Sequence, residues 1–115
     1  RVGNLAAVRD FSDVRDIARF LVEIGRRITG GELINLCSGR GIPVQRLLDT
    51  LLGLSRCSIR VEVDEERFRP LDVPSMIGDP GRLRREFGLS PAFTLEQTLA
   101  DLLAWWRERI RQGGG

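Results

Sequence analysis

Helix start and stop signals divide this chain of 115 residues into short segments, and they limit the folds open to it. Polar caps and prolines favour helix starts, and glycines favour helix ends. The signals are Ser12 or Asp13 before a helix over residues 14–27 that stops at Gly30-Gly31, Pro43 in the first turn of a helix ending near Leu54, Asp79-Pro80 before a helix that closes at Gly88, and Thr94 with Gln97 as a capping box before the last helix. Glycines 113–115 then predict a frayed end. We therefore predict about four helices.

Two apolar runs predict short strands between these helices. Residues 32–37 are mostly apolar and bounded by glycines, which is typical of a buried strand. Ile59, Val61 and Val63 alternate with charged residues, which predicts a half-buried strand. Residues 73–78 form another short extended piece. Helices and strands mixed in this way indicate one domain of the α/β class, with α+β character.

The first helix carries an apolar stripe at helical spacing, which indicates that one of its faces is apolar. The stripe consists of Val14, Ile17, Ala18, Leu21, Val22 and Ile28.

The composition leaves few groups for acid–base chemistry. The chain has no His and no Tyr, and all 18 basic residues are Arg, so it also lacks Lys. The usual general bases, the phenolic acid and a Schiff-base amine are therefore missing. We expect no catalytic residue in this chain. Because the net charge is only +2, we also expect no nucleic-acid partner.

The two cysteines and the lack of long apolar runs indicate in which cellular compartment the protein is expected. Cys37 and Cys57 have no CxxC spacing and no His partners, so we expect no metal site and predict buried, reduced thiols. No run approaches the about 20 apolar residues of a membrane span. Residues 1–4 lack the apolar region of a secretory signal. We expect a cytoplasmic protein without a membrane partner.

The segment Arg67–Asp72 is the strongest candidate for a binding site. The guanidinium groups of Arg67 and Arg69 suit forked hydrogen bonding to phosphate oxygens, and the Asp72 carboxylate can accept from sugar hydroxyls. Pro70 holds Arg69 extended, so that its head is presented. A solvated surface loop is the plainer alternative, and of the two arginines Arg67 is expected to be the solvent-exposed one. The turn at 38–41 is interpreted as a strand-to-helix connection, because it lacks both phosphate-loop patterns.

Several motifs in one order resemble a known family. They are Asn4-Leu5, Arg9-Asp10-Phe11-Ser12-Asp13-Val14-Arg15-Asp16, Ile34-Asn35-Leu36-Cys37-Ser38-Gly39, Arg69-Pro70-Leu71-Asp72-Val73-Pro74, Gly78-Asp79, and Leu95-Glu96-Gln97-Thr98-Leu99 with Trp106-Arg107. Together they resemble the C-terminal portion of an extended short-chain dehydrogenase/reductase that acts on nucleotide sugars, in the NAD-dependent epimerase/dehydratase family. The residues of these motifs are most similar to those of GDP-4-keto-6-deoxy-D-mannose reductases, with the related GDP-mannose 4,6-dehydratases as the alternative.

The resemblance implies roles for four residues. Arg9 matches the arginine that reaches a diphosphate oxygen, and Arg69 matches the arginine that clamps the diphosphate. Asp72 matches the acidic residue that holds the ribose hydroxyls. Asn4 lies near the matching substrate segment. These four residues are the predicted substrate-binding set.

Each of the charged residues also has a structural alternative. Arg9 could pair with Asp13 or Asp16, a surface interaction of about 0–1 kcal/mol. Asp72 could cap a short turn. In either case the residue would stabilise the fold without binding a ligand.

The resemblance also implies that a larger part of such an enzyme is missing. Its N-terminal Rossmann half, with a glycine-rich turn and a Tyr-x-x-x-Lys pair, cannot be placed on a chain without Tyr and Lys. The parent enzyme would use NADP or NAD to reduce the 4-keto carbon of a GDP-sugar. Residues 1–115 would be its substrate-binding portion, inactive alone and without a bound cofactor.

Loss of that half would leave apolar faces uncovered. Residues 1–41 are expected to pack on the absent NAD(P)-binding domain, so the isolated chain should self-associate. Another nucleotide-sugar epimerase or dehydratase remains open as the parent. A stand-alone, non-enzymatic interaction module is the alternative from a different class.

Overall fold

The computed structural model describes residues 1–113 and confirms a mixed α/β fold with four α-helices and short strands. The elements are β1 (Val8–Asp10), α1 (Val14–Arg27), β2 (Gly41–Pro43), α2 (Val44–Leu54), a 3₁₀ turn (Glu65–Arg67), β3 (Ser75–Met76), α3 (Gly81–Phe87) and α4 (Leu95–Arg111). Gly114 and Gly115 of the predicted frayed end lie outside the described residues.

A three-stranded sheet places β1 at the centre of the fold. Its order is β2-β1-β3, with β2 antiparallel and β3 parallel to β1. Arg9 therefore lies opposite Ile42 on one side and Met76 on the other. This pairing brings the residues before β2 and the residues after β3 together at the carboxyl end of β1, beside Asp10.

Local chemistry predicts most helix ends, but Pro43, expected in the first turn of α2, is the last residue of β2 and the N-cap residue of that helix. α1 starts after Asp13, whose side chain accepts a hydrogen bond from the backbone N–H of Arg15 at 2.8 Å. α3 ends at Gly88, which has φ of 64°, the left-handed conformation that glycine adopts most easily. Thr94 and Gln97 form the predicted capping box of α4.

The core is small and lies between α1 and α3. It is formed by Phe20, Leu83, Phe87 and Leu89, with Ile17, Ile24, Ile34 and Leu36 packed against it. α2 and α4 pack against each other as a second pair.

The apolar stripe of α1 is only partly turned inward. Phe20, which is not part of the stripe, is fully buried, and so is Asp16, while Val14 is 77% exposed and Leu21 is also exposed. A carboxylate replaces an apolar residue on the inner face because backbone N–H groups satisfy it there. Helical spacing thus located the helix correctly, and four of the six residues of its apolar stripe are exposed in this chain.

The two predicted strands do not form. Residues 32–37 are extended but make no backbone pairing with another described segment, and Leu33 is 84% exposed. The predicted strand at 59–63 is reduced to one parallel bridge between Val63 and Val2. An apolar or alternating run becomes a strand only where a second edge supplies hydrogen bonds. Residues 1–113 supply no such edge for 32–37.

The cysteine prediction is wrong for Cys57, which is exposed, and Cys37 is only half-buried. Both thiols are free. Burial raises the pKa of the Cys37 thiol, and the nearby charge of Asp10 acts in the same direction, so this sulfur stays protonated at neutral pH. No helix within residues 1–113 has the length and apolar character to cross a membrane.

The chain is elongated for its length. It measures 51 × 38 × 22 Å, with a radius of gyration of 17.1 Å. A compact domain of about 100 residues has a radius of gyration of about 13 Å. The accessible surface is 8463 Å², against about 6,300 Å² for a monomeric globular protein of this mass. The fold therefore leaves much more surface uncovered than an independent domain of its size.

Candidate functional site

A cleft of about 320 Å³ opens between the start of the chain, β1 and the loop at 67–72. Six of its lining residues come from these three segments, namely Gly3, Asn4, Arg9, Arg67, Arg69 and Asp72. All four residues predicted to bind substrate therefore lie around one cavity. Their ligand-binding roles stay predictions.

Arg9 and Asp72 form the central contact of the cleft. The Nη2 of Arg9 donates to Oδ1 of Asp72 at 2.7 Å, and its Nη1 donates to the carbonyl oxygen of Val8 at 2.8 Å. The two side chains are 27% and 24% exposed. A charged hydrogen bond this short is among the stronger side-chain contacts, and it joins the central strand to the loop.

Asn4 completes the set of partners around Asp72. Its Nδ2 donates to Oδ2 of Asp72 at 3.0 Å, and its Oδ1 accepts from the backbone N–H of Ala6 at 3.0 Å. Each carboxylate oxygen of Asp72 therefore has one protein donor. Because a carboxylate oxygen can accept two hydrogen bonds, each can still accept one from a ligand hydroxyl.

Arg69 lies beside this network with its guanidinium unengaged. Its carbonyl oxygen accepts from the N–H of Asp72 at 3.3 Å across a turn through Pro70. Within residues 1–113 its side chain makes no hydrogen bond or ion pair, although it lines the cleft. A free guanidinium beside a satisfied ion pair gives this cavity the character of an anion site.

The structural alternatives weighed for Arg9 and Asp72 are wrong. Asp13 is instead paired with Arg15 at 2.8 Å, and Asp16 with Arg19 at 3.2 Å. The side chain of Asp72 accepts from Asn4 and Arg9, and it caps no turn.

Asp10, in the motif at residues 9–16, is structurally important because it accepts hydrogen bonds from three residues distant in the sequence. Its Oδ1 accepts from the backbone N–H of Ser38 at 2.9 Å and also from the Ser38 hydroxyl. Its Oδ2 accepts from the N–H of Gly39 at 2.9 Å and of Gly78 at 3.1 Å. Burial by itself raises the pKa of Asp10, but these hydrogen bonds outweigh it and hold the pKa below its ordinary value.

The contacts of Asp10 fix the strand that carries Arg9. Its partners lie 28 and 68 residues away in the chain, so no local pattern announces them. The available signal was the pair of small residues Ser38 and Gly39, whose backbone can approach a carboxylate closely.

A larger cavity of about 990 Å³ lies between the beginnings of α1 and α4 and strand β2. Its three carboxylates already have partners: Glu96 is paired with Arg46 at 3.2 Å, and Asp13 and Asp16 are the buried two. Asp13 accepts from Arg15 and from the hydroxyl of Thr98, and Arg15 above all holds its pKa well below the usual range. These acids fasten helices together, and neither is free to act on a ligand.

The comparisons with known proteins agree with the motifs. The sequence model of the GDP-mannose 4,6 dehydratase family matches residues 1–102. The chain is 27% identical over 111 residues to a GDP-6-deoxy-D-mannose reductase of Pseudomonas aeruginosa, covering 96% of this chain and 36% of that protein. It is 33% identical over 100 residues to a GDP-6-deoxy-D-talose 4-dehydrogenase of Aggregatibacter actinomycetemcomitans, covering 87% of this chain and 34% of that protein.

A solved structure confirms the fold. RMD from Pseudomonas aeruginosa complexed with NADPH superimposes with a TM-score of 0.82 and 26% identity, over 94% of this chain and 35% of that one. The chain thus spans about a third of the length of the curated relatives it matches. The resemblance to extended short-chain dehydrogenases/reductases is confirmed, and the chain belongs to the GDP-mannose 4,6 dehydratase family.

Proposed function

We propose that this chain is the nucleotide-sugar-binding portion of an NAD(P)-dependent GDP-4-keto-6-deoxy-D-mannose reductase, an enzyme that forms GDP-D-rhamnose. The observation that carries the proposal is the single cleft around which Asn4, Arg9, Arg69 and Asp72 meet. A reductase and a dehydrogenase of GDP-6-deoxy sugars among the relatives support the substrate class.

The cleft offers the right chemistry for a nucleoside diphosphate. Arg69 would bind the diphosphate oxygens, with Arg9 as a second donor, and charged hydrogen bonds of this kind are worth about 1.5–3 kcal/mol when shielded from water. Asp72 would accept from the ribose hydroxyls through its remaining lone pairs. Asn4 would hold Asp72 in orientation. The partial exposure of these groups lowers each contribution.

The remaining chemistry would come from outside this chain. NADP or NAD supplies the hydride in the longer enzyme, and a chain without Tyr or Lys provides no acid of the usual kind for the 4-keto oxygen. The role of residues 1–115 is to hold the nucleotide end of the substrate in place. We infer a cytoplasmic enzyme that meets soluble GDP-sugar.

A GDP-mannose 4,6-dehydratase is the second candidate, because the matching family model carries that description. The two differ in substrate. The complete enzyme should reduce GDP-4-keto-6-deoxy-mannose if it is a reductase, and should convert GDP-mannose to that compound if it is a dehydratase. Product analysis with both sugars separates them. An upstream reading frame without a glycine-rich βαβ and Tyr-x-x-x-Lys would favour a stand-alone module.

Binding of GDP to the purified chain tests the proposal. We expect chemical-shift changes at Arg9, Arg69 and Asp72 in an NMR titration with millimolar GDP, and an about tenfold weaker affinity in Arg69→Gln. Arg56→Gln is the matched control, since Arg56 is exposed and lies outside the cleft. The chain alone should turn over no NADPH. Measurable turnover, or GDP binding that Arg69→Gln leaves unchanged, would contradict the proposal.

A further inference from the structure

The lining of the cleft includes another arginine, Arg67. We infer that Arg67 is a third phosphate-binding residue of this site and that, with Arg69, it supplies the charge that neutralises the diphosphate. This inference rests on the proposed function, and it replaces the expectation that Arg67 is merely solvent-exposed.

The backbone directs Arg67 and Arg69 into the same space. Phe68 between them is extended, with φ of −75° and ψ of 135°. In extended backbone, successive side chains point to opposite sides and alternate ones share a side. Both arginines line the cleft, and Phe68 does not. The two arginine side chains thus leave the backbone on the same side, toward the cleft.

The turn that carries Arg67 is held firmly against the start of the chain. The N–H of Arg67 donates to the carbonyl oxygen of Asp64 at 3.0 Å, and the N–H of Asp64 donates to that of Val2 at 2.8 Å. A Cβ added at Gly3 would lie 3.1 Å from the carbonyl oxygen of Arg67 and 3.2 Å from its Cβ. This close approach of the two backbones fixes the position of the Arg67 Cα and Cβ atoms.

The head of Arg67 is available for a ligand. Its Nε lies 3.6 Å from Oδ2 of Asp64, beyond the about 2.7–2.9 Å of a charged hydrogen bond, and its side chain is 59% exposed. Asp64 also accepts a hydrogen bond from the backbone N–H of Glu66 at 3.1 Å, so Arg67 is not its only partner.

Charge balance in the cleft favours the same conclusion. The pair of Arg9 with Asp72 is neutral as a unit at 2.7 Å. Arg69 alone would leave part of a diphosphate, with about two negative charges, unmatched. Arg67 adds a second positive charge to that of Arg69, and Asp64 offsets it only in part because its Oδ2 lies 3.6 Å from the Nε of Arg67.

Titration of the 115-residue chain with GDP and with inorganic pyrophosphate tests this role. We compare Arg67→Gln with Arg69→Gln, and with Arg56→Gln as the control for loss of one exposed charge. Arg67→Gln should raise the Kd about three- to tenfold for both probes, because the contact is made to phosphate. Arg67→Lys should recover part of the loss, since the charge remains without the fork. Circular dichroism during urea unfolding should show that each variant is folded.

The outcomes separate this inference from the proposed function. If Arg69→Gln weakens GDP while Arg67→Gln behaves like Arg56→Gln, the role of Arg67 is wrong and the site stands. If Arg67→Gln weakens GDP but not pyrophosphate, the arginine contacts the nucleoside and the inference is also wrong. If the unsubstituted chain binds neither probe at millimolar concentration, both proposals fail.

Discussion

Two neighbouring residues of β1, Arg9 and Asp10, make contacts on opposite sides of the strand. Arg9 faces the cleft and pairs with Asp72, whereas Asp10 faces the interior and collects four hydrogen bonds from Ser38, Gly39 and Gly78. Alternation along a strand explains how adjacent residues reach different surroundings. A ligand-facing arginine is thereby anchored through the residue beside it.

Replacing the Asp10 carboxylate should cost more stability than replacing an exposed aspartate. In Asp10→Asn one acceptor oxygen becomes a donor that faces the N–H groups of Gly39 and Gly78. We expect a loss of about 2–3 kcal/mol in the free energy of unfolding, measured by urea denaturation. Asp49→Asn is the control, since Asp49 accepts only from the exposed Gln45 on the same helix. Equal effects of the two substitutions would contradict this view of Asp10.

The same carboxylate should make stability depend on acid pH. The pKa of Asp10 is lowered in the folded chain, so its contribution is fully present above the unfolded value near 4 and is lost as the pH falls through the folded value. The urea midpoint should therefore decrease between pH 5 and pH 2.5. The decrease should be smaller in Asp10→Asn, which has no carboxyl at this position. An identical acid profile in both proteins would exclude Asp10 as a source of the dependence.

At the scale of elements, two glycines allow the effect of helix propensity to be measured apart from the effect of backbone strain. A Cβ added at Gly25, inside α1, or at Gly88, after α3, would meet no other atom within 4 Å. Gly25→Ala should stabilise the chain by about 0.5–1 kcal/mol, because alanine loses less conformational entropy in a helix. Gly88→Ala should cost about 1–2 kcal/mol, because φ is 64° there. Thermal unfolding of both variants measures the change in stability. If both substitutions changed stability in the same direction, packing and not backbone conformation would govern both sites.

Helices were predictable and strands were not, for a physical reason. The limits of α1 and the capping box of Thr94 depend on atoms within a few residues, so the local sequence contains the cause. Residues 32–37 and 59–63 have the right side chains for strands, but a strand also needs a partner that the local sequence cannot supply. The candidate cleft falls between these cases. Arg69 and Asp72 were predicted from their side-chain chemistry, and Arg9 and Asn4 from the resemblance to a family. The pairing of Arg9 with Asp72, 63 positions apart, was not predicted.

At the scale of the whole molecule, the uncovered surface predicts self-association. Val14, Leu21 and Val22 expose large apolar side chains on one helix, and Leu33 follows nearby in the chain. Apolar area of this kind is stabilised by about 25 cal/mol for each Å² removed from water. We expect size-exclusion chromatography with light scattering to show a mass that rises with concentration. The prediction that residues 1–41 pack on a separate nucleotide-binding half would assign the same face to that partner.

Leu21→Glu should lower this tendency, because it places a charge in the apolar face. Arg26→Gln is the matched control: it changes the net charge by the same one unit at an exposed position of α1 that lies outside the apolar stripe. A monodisperse monomer of the unsubstituted chain at high concentration, or equal effects of the two substitutions, would contradict a role for this face.

The contact between Arg9 and Asp72 has a consequence for how a nucleotide would enter. Ribose hydroxyls would use the remaining lone pairs of Asp72, but a diphosphate would compete with Asp72 for the guanidinium of Arg9, so the net gain at Arg9 would be the difference between two sets of contacts. In return, the loop at 67–72 is preorganised before the ligand arrives, so little entropy remains to be lost when it binds. A site of this design favours modest affinity and rapid release.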